Sequence, residues 1–383
     1  MTELRPLAVY VHWPYCAQIC PYCDFNVVRD RGQTEQAALA DAIVRDLEGQ
    51  AALIGERRLV SIFFGGGTPS LMRPEWAAGI VETARRVWAP ADRVEVTLEA
   101  NPTDAEAGRF AAFADAGVNR LSLGVQSFDD GALRFLGRNH DAAEARRAAS
   151  LARERFEQLS LDMIYALPGQ TPQAWSVQID TALAFEPDHL SPYQLTIETG
   201  TAFGRAADRG VLIPPSSDDG ADLYEMTQAQ LSAAGFEAYE VSNHARSFSA
   251  RSRHNLAYWR GEDYVGVGPG AHGRLTLSDG RTATEAVRTV RGYIDAVDSA
   301  GVGFAQREVL NDRELALERL LMGMRTLEGV CWRDLAPLGL APGATRVRDL
   351  AALGLVLPTE TRLCATASGR PVLDRVVMEL ADG

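Results

Sequence analysis

Tyr10-Val-His-Trp-Pro-Tyr-Cys16-Ala-Gln-Ile-Cys20-Pro-Tyr-Cys23-Asp-Phe-Asn26 starts inside an apolar run, Leu7–His12, that reads as a strand. It continues as a loop holding three of the chain's five cysteines. The C-x3-C-x2-C spacing can wrap three thiolates around three corners of a cubane, because one short loop delivers all the sulfurs to one side. A [4Fe-4S] cluster on Cys16, Cys20 and Cys23 has a fourth iron with no protein ligand. The amino and carboxylate groups of S-adenosylmethionine can fill that open position. An electron passed into the sulfonium then breaks a carbon–sulfur bond and gives a 5′-deoxyadenosyl radical. Two plainer readings compete: a Cys3His zinc site recruiting His12, and inert buried thiols. His12 sits in the strand four residues before Cys16, an awkward place from which to close a tetrahedron. An odd number of cysteines, with three crowded together, points to metal rather than to a disulfide framework.

Beyond the loop, apolar and often β-branched runs alternate with helical periodicity. Strands are expected at Leu7–His12, Val60–Phe64, Val94–Glu99, Arg120–Gly124, Leu159–Ile164, Leu190–Thr196 and, less clearly, Glu237–Val241. Helices are expected at Thr34–Ile54, Pro74–Trp88, Ala142–Phe156, Pro172–Phe185 and Asp218–Ala234. Strand–helix–strand repetition implies an α/β fold with a parallel sheet, either doubly wound or curled into a full or partial barrel. Cys16, Gly65–Gly67, Glu99, Gln126 and Asp162 each fall at or just past the C-terminal end of a different strand. A barrel gathers all such ends at one mouth, whereas an open sheet gathers only those beside its switch point. The pattern therefore favours a barrel, full or partial, of about six β/α units.

Residues 1–245 form this expected barrel. Residues 246–305 turn Gly-, Arg- and aromatic-rich and read as a bridging loop region across the open side. Residues 306–383 read as a smaller helical, winged-helix-like domain, with helices at Leu315–Leu327 and Arg346–Leu353 and short strands near Val356 and Leu363. Such units often bind DNA, but residues 296–383 hold ten arginines against twelve acidic residues, so a packing or partner-docking module is expected. The whole chain carries a net charge of −13, which repels a nucleic-acid backbone. It contains no lysine, which excludes a pyridoxal Schiff base and a Walker-type phosphate loop. No apolar run reaches the roughly 18–20 residues of a membrane span. The short polar start, Met1–Pro6, lacks the marks of a secretory signal, so a cytoplasmic protein is expected.

Five further marks accompany the cysteines: Tyr10-x-His12-x-Pro14-x-Cys16, Phe64-Gly-Gly-Gly-Thr-Pro-Ser70, Glu99-Ala-Asn-Pro102, Gly124-Val-Gln-Ser-Phe128 and Asp162-Met-Ile-Tyr-Ala-Leu-Pro168. In these the chain resembles the radical SAM family, and more narrowly its branch of oxygen-independent coproporphyrinogen oxidases and HemW-type haem chaperones. The likeness runs from about Leu7 to Val372. It implies a partial (β/α)6 radical SAM barrel in which Gly66, Gly67 and Thr68 bind the methionine end of the cofactor. Glu99 would meet its ribose hydroxyls or amino group, and Gln126, Arg138 and Asp162 match further polar cofactor positions. Tyr10 and Tyr22 would shield the cluster. Arg138 falls on an expected helix, where the ordinary reading is a solvated charge.

Oxidases of this branch typically carry another cysteine two residues after the third, where this chain has Phe25, and a longer extension ahead of the cluster motif. The run His254-Asn-Leu-Ala-Tyr-Trp259 instead resembles the H-N-x-x-Y-W signature of the haem chaperones. Chemically, an imidazole can ligate haem iron while aromatic rings such as Tyr258 and Trp259 pack on the macrocycle. Alone, a histidine beside Tyr and Trp is more often a hydrogen-bonded structural residue. His244, His272, Cys331 and Cys364 are weaker candidates. The expected function is a haem chaperone passing haem to an acceptor protein, such as a membrane haemoprotein. The alternatives are oxidative decarboxylation of coproporphyrinogen III and radical chemistry on some other substrate.

Overall fold

The computed structural model describes residues 4–30 and 33–382; Met1–Glu3, part of the segment read for a secretory signal, lie outside the described residues. Six parallel strands form the centre of one large sheet: β1 (Pro6–Trp13), β2 (Arg58–Gly66), β3 (Ala89–Ala100), β4 (Arg120–Gln126), β5 (Gln158–Tyr165) and β6 (His189–Gln194). Helices Gln33–Ile54, Pro74–Val87, Ala142–Arg155 and Pro172–Leu183 make crossovers between them. Alternation in β1 is the governing pattern. Leu7, Val9 and Val11 enter the apolar core shared with the Gln33–Ile54 helix, while Tyr10 and His12 face the other way. Helix Ala142–Arg155 buries only alanines (Ala145, Ala148, Ala149 and Ala152) and is fixed at its start by an Asp141–Glu144 capping box. Although β1 and β6 are the outer members of this six-stranded set, Tyr10 and Tyr193 line one cavity. The sheet is therefore curled into a partial barrel.

The segment expected as a bridging loop is instead ordered. Helix Arg253–Arg260 leads into β7 (Asp263–Val267), which pairs parallel to β1 on its free edge. Strands β8 (His272–Leu277), β9 (Gly280–Ala286) and β10 (Phe304–Val309) then extend the sheet antiparallel. Glycine density there reflects close backbone packing. A Cβ on Gly266 would sit 2.0 Å from the His272 carbonyl oxygen, and one on Gly268 would sit 2.2 Å from that of His12.

Helices Asp312–Gly323, Thr345–Ala352 and Leu373–Ala381 surround a second apolar cluster that includes Leu320, Met324, Val347 and Leu363. A small antiparallel sheet, Val330–Cys331, Arg362–Ala365 and Val356–Pro358, completes the winged-helix-like arrangement. No described helix is long and apolar enough to cross a membrane.

Candidate functional site

A cavity of about 570 Å³ opens at the C-terminal ends of the barrel strands. Its wall includes Cys16, Cys20 and Cys23, and also Tyr10, Tyr22, Gly66, Gly67, Thr68, Glu99, Gln126, Arg138 and Asp162. The strand-end residues singled out by sequence thus converge on one space. His254 and Tyr258 line it too, but Trp259 does not.

The cysteine loop is held by backbone bonds that do not involve thiols. Val28 N–H donates to the Pro14 carbonyl at 2.8 Å, Gly67 N–H to that of Trp13 at 2.8 Å, and Thr68 N–H to that of Tyr15 at 2.8 Å. Each sulfur has its own donor. The Thr68 hydroxyl approaches Cys16 Sγ at 3.7 Å, the Arg138 guanidinium approaches Cys20 Sγ at 3.4 Å, and the Phe25 backbone N–H serves Cys23. Burial still pushes the Cys16 thiol up to about 11 and raises that of Cys23. A cationic iron centre reverses that preference by drawing thiolates to itself, and hydrogen bonds to cluster sulfurs tune its potential. The three donors therefore fit a thiolate-held cluster. His12 does not fit as a fourth ligand, because Nε2 meets the Asn26 carbonyl at 2.8 Å and Nδ1 meets Tyr10 OH at 3.1 Å.

The glycine run lines the cavity and also fastens the cysteine loop. The amides of Gly67 and Thr68 are spent on Trp13 and Tyr15, so these residues fasten the start of the cysteine loop to β2, and the Thr68 carbonyl is taken by Leu71 N–H at 3.0 Å. Gly66, at φ +109°, sends its N–H to Glu99. A Cβ on Gly67 would lie 2.7 Å from the carbonyl atoms of Pro14 and from Tyr15 O. Gly67→Ala should therefore push the loop off its seat and lower iron bound per chain after anaerobic reconstitution. Wild-type iron content in that variant would contradict this fastening role.

Arg138 is not on a helix: helix Asp130–Phe135 has ended and a turn through Gly137 carries the arginine inward. Its Nη1 reaches Cys20 Sγ and, at 3.5 Å, Tyr22 OH; its Nη2 reaches the Gly124 carbonyl at 3.1 Å and Asn101 Oδ1. Its Nε has no partner among the described residues, leaving a donor inside the cavity wall. Gln126 holds φ +59° where β4 breaks register with β5. A non-glycine residue in that region costs on the order of 1–3 kcal/mol, a strain that tends to gather at functional sites.

Two carboxyls face the same space. Glu99 is pushed up to about 8, first by desolvation and then by the nearby Asp162 charge, with the Gly66 N–H opposing. Asp162 is raised by burial, against hydrogen bonds from Ser122 Oγ at 2.7 Å and Ser160 Oγ at 3.3 Å. A buried carboxyl supported by a single amide calls for further donors, which the N–H groups of an amine or ribose hydroxyls provide.

His254 is 1% exposed and occupied at both ring nitrogens, with Ser61 Oγ at 3.2 Å on Nδ1 and Tyr258 OH at 2.7 Å on Nε2. It stacks on Phe63 at 4.9 Å, and burial pushes it down to about 3, so it is a neutral imidazole. Trp259 turns toward the C-terminal segment, where its carbonyl accepts from Arg319 and its ring carries Arg325 at 4.9 Å.

Sequence reading assigned no role to Asn101, which joins Thr68 Oγ1 at 3.1 Å to Arg138. It also missed the serines around Asp162. Strand register would have found them, because Ser122 pairs with Ser160 and Asp162 pairs with Ser191.

Comparison with known proteins places these features in context. The family model described as the radical SAM superfamily matches residues 10–177. Mouse (Mus musculus) radical S-adenosyl methionine domain-containing protein 1, mitochondrial, is 42% identical over 386 residues, covering 97% of this chain and 87% of that protein. The haem chaperone HemW of Bacillus subtilis is 35% identical over 371 residues, covering 95% of this chain and 96% of that protein. The solved structure of Escherichia coli coproporphyrinogen III oxidase (HemN), a radical SAM enzyme, superposes with a TM-score of 0.81 at 23% identity, over 99% of this chain and 91% of that one. At that identity, the likeness speaks for the fold alone.

Proposed function

The chain belongs to the radical SAM superfamily, and we propose that within it this protein is a haem chaperone, binding haem and passing it to an acceptor protein. The end-to-end identity with a protein named as a haem chaperone carries the reading. Phe25 supports it: 64% exposed on the cysteine loop, it stands where the oxidases of this branch carry a further cysteine. The acceptor is a haemoprotein, met from the cytoplasmic side of a membrane.

Cys16, Cys20 and Cys23 hold a [4Fe-4S] cluster, and Glu99, Gln126, Arg138 and Asp162 bound the space for S-adenosylmethionine. Together these groups supply one-electron chemistry when bound. The chain's own residues do the rest. Arg138 sets a positive charge beside Cys20, and Tyr22 covers that charge while packing on Phe203 at 6.3 Å. Glu99 offers a carboxylate to the N–H groups of the cofactor's amine or to its ribose hydroxyls. Tyr10, bonded to His12 and packed against Phe63 at 6.3 Å, closes the inner wall against water. His254, 6.1 Å from the Tyr10 ring, and Tyr258, bonded to it, extend that wall.

The test is paired. Reconstituted protein is titrated with haem while the Soret band is followed, and the same preparation is assayed for coproporphyrinogen III decarboxylation. Saturable haem binding without turnover is expected. Turnover to protoporphyrinogen with no specific haem binding would replace this reading with the oxidase.

A further inference from the structure

We propose that haem carried by this chain is ligated by the imidazole of His272, at the open edge of the barrel beside the cysteine loop. This rests on the haem-carrier reading above and names the atom that takes the iron. Imidazole is a common protein ligand of haem iron, and the chain has six histidines. Five are closed to a flat macrocycle: His12, His140, His189, His244 and His254 are each 6% exposed or less. Three of these use both ring nitrogens. His12 and His254 do so as described, and His189 meets Ser160 Oγ at 2.9 Å and Tyr239 OH at 2.9 Å. His140 and His244 each have one bonded nitrogen, to Val125 O and Gln228 Oε1, and a second that is buried with no partner. Bringing any of the five to a haem iron means unburying its ring and, for three of them, breaking a hydrogen bond at the nitrogen that would take the iron.

His272 is different. It opens β8, it is exposed, and no hydrogen bond among the described residues holds its ring. It is close enough to His12 to disfavour protonation there, which places it next to the start of the cysteine loop. The turn before it is stitched to that loop, because Asn26 Nδ2 donates to Pro269 O at 2.9 Å and a Cβ on Gly270 would strike the Asn26 amide at 2.6 Å. Asn26 thus holds the His272 turn beside Phe25, an exposed aromatic ring suited to packing on a porphyrin face. The second amide bond of Asn26, to Arg288 O at 2.9 Å, brings in an exposed arginine whose guanidinium suits a haem propionate. Ligand, aromatic face and cation are therefore all tied to one loop residue, three positions after Cys23.

The experiment uses the full chain with its cluster reconstituted. His272→Ala is titrated with ferric haem and compared with wild type in Soret position, EPR signature and affinity, with cluster absorbance and S-adenosylmethionine binding as controls for an intact fold. The variant should bind haem at least about tenfold more weakly and lose the imidazole-type spectrum, and added free imidazole should restore it. His272→Gln, which keeps the side chain's bulk, should behave the same way. A wild-type spectrum and affinity in both variants overturns the assignment, as does loss of the band in His254→Ala or in Cys331→Ser/Cys364→Ser with both His272 variants unaffected. Absence of any Soret band in wild-type protein removes the haem reading itself, which is a separate result.

Discussion

Alanine at Cys16, Cys20 and Cys23 together should abolish iron–sulfur incorporation and leave the secondary structure intact. The two halves of this expectation have different causes. Three thiolates would be the anionic donors of the cluster, and each cysteine sulfur has a dedicated hydrogen-bond donor, so a variant lacking all three retains none of the metal-binding chemistry expected of the loop. The fold survives because the loop is tied by main-chain bonds from Val28, Gly67 and Thr68, none of which uses a sulfur atom. Cys20 and Cys23 are half-buried at the cavity wall, and only Cys16, 7% exposed, gives up packing. Iron and sulfide content, visible absorbance and circular dichroism measure the two halves separately. Iron incorporation equal to wild type would remove the cluster from this loop. A collapsed circular dichroism spectrum would instead show that the thiols carry structural weight. Binding of S-adenosylmethionine should weaken in parallel, since Arg138 then faces no thiolate and Glu99 no cluster-held ligand.

Much of this architecture was legible because parallel strands buried on both faces read as apolar runs. The six central strands fall where those runs do, with the largest displacement at β3, which starts at Ala89 rather than Val94. What sequence concealed has physical reasons. Glycines in 261–273 suggested a loop, but Gly266 and Gly268 are there because neighbouring carbonyls leave no room for a Cβ. Arg138 was read as helical because the helical pattern does not announce its own end; Gly137, at φ +64°, ends it and turns the arginine inward. His254, Tyr258 and Trp259 look like a unit when written in a line. On helix Arg253–Arg260, positions 254 and 258 share a face and 259 lies about 100° round the axis, so Trp259 goes to another neighbour. The partner that occupies His254 Nδ1 is Ser61, on a strand almost two hundred positions away, and no local pattern encodes it.

Glu99→Gln should weaken S-adenosylmethionine binding and, at the same time, make the ligand-free protein more stable in mild alkali. In the free protein the carboxyl is pushed up to about 8 from an ordinary 4.5, desolvation leading and Asp162 adding to it. A folded-state value above the unfolded one means that the fold binds more protons than the unfolded chain across that window. This contribution to stability is fully present below the unfolded value of 4.5 and is lost as pH rises through about 8. Glutamine cannot ionise, so it avoids that loss, and the wild-type fall in Tm between those two limits should flatten in the variant. Ligand binding has the opposite sign. N–H or O–H donors of the bound cofactor, from its amine or its ribose, select the carboxylate, so wild-type affinity should rise with pH up to about 8, with proton release from Glu99 on binding, and level off beyond it. A charge-assisted hydrogen bond contributes about 1.5–3 kcal/mol, so its loss should weaken binding roughly ten- to a hundredfold above that pH. Calorimetric titration in buffers of different ionisation enthalpy checks both the slope and the proton count. An affinity that is independent of pH in wild type, or unchanged in Glu99→Gln, would take Glu99 out of the cofactor site. It would then be a buried acid kept at a cost in stability, with the amide of Gly66 as its partner among the described residues.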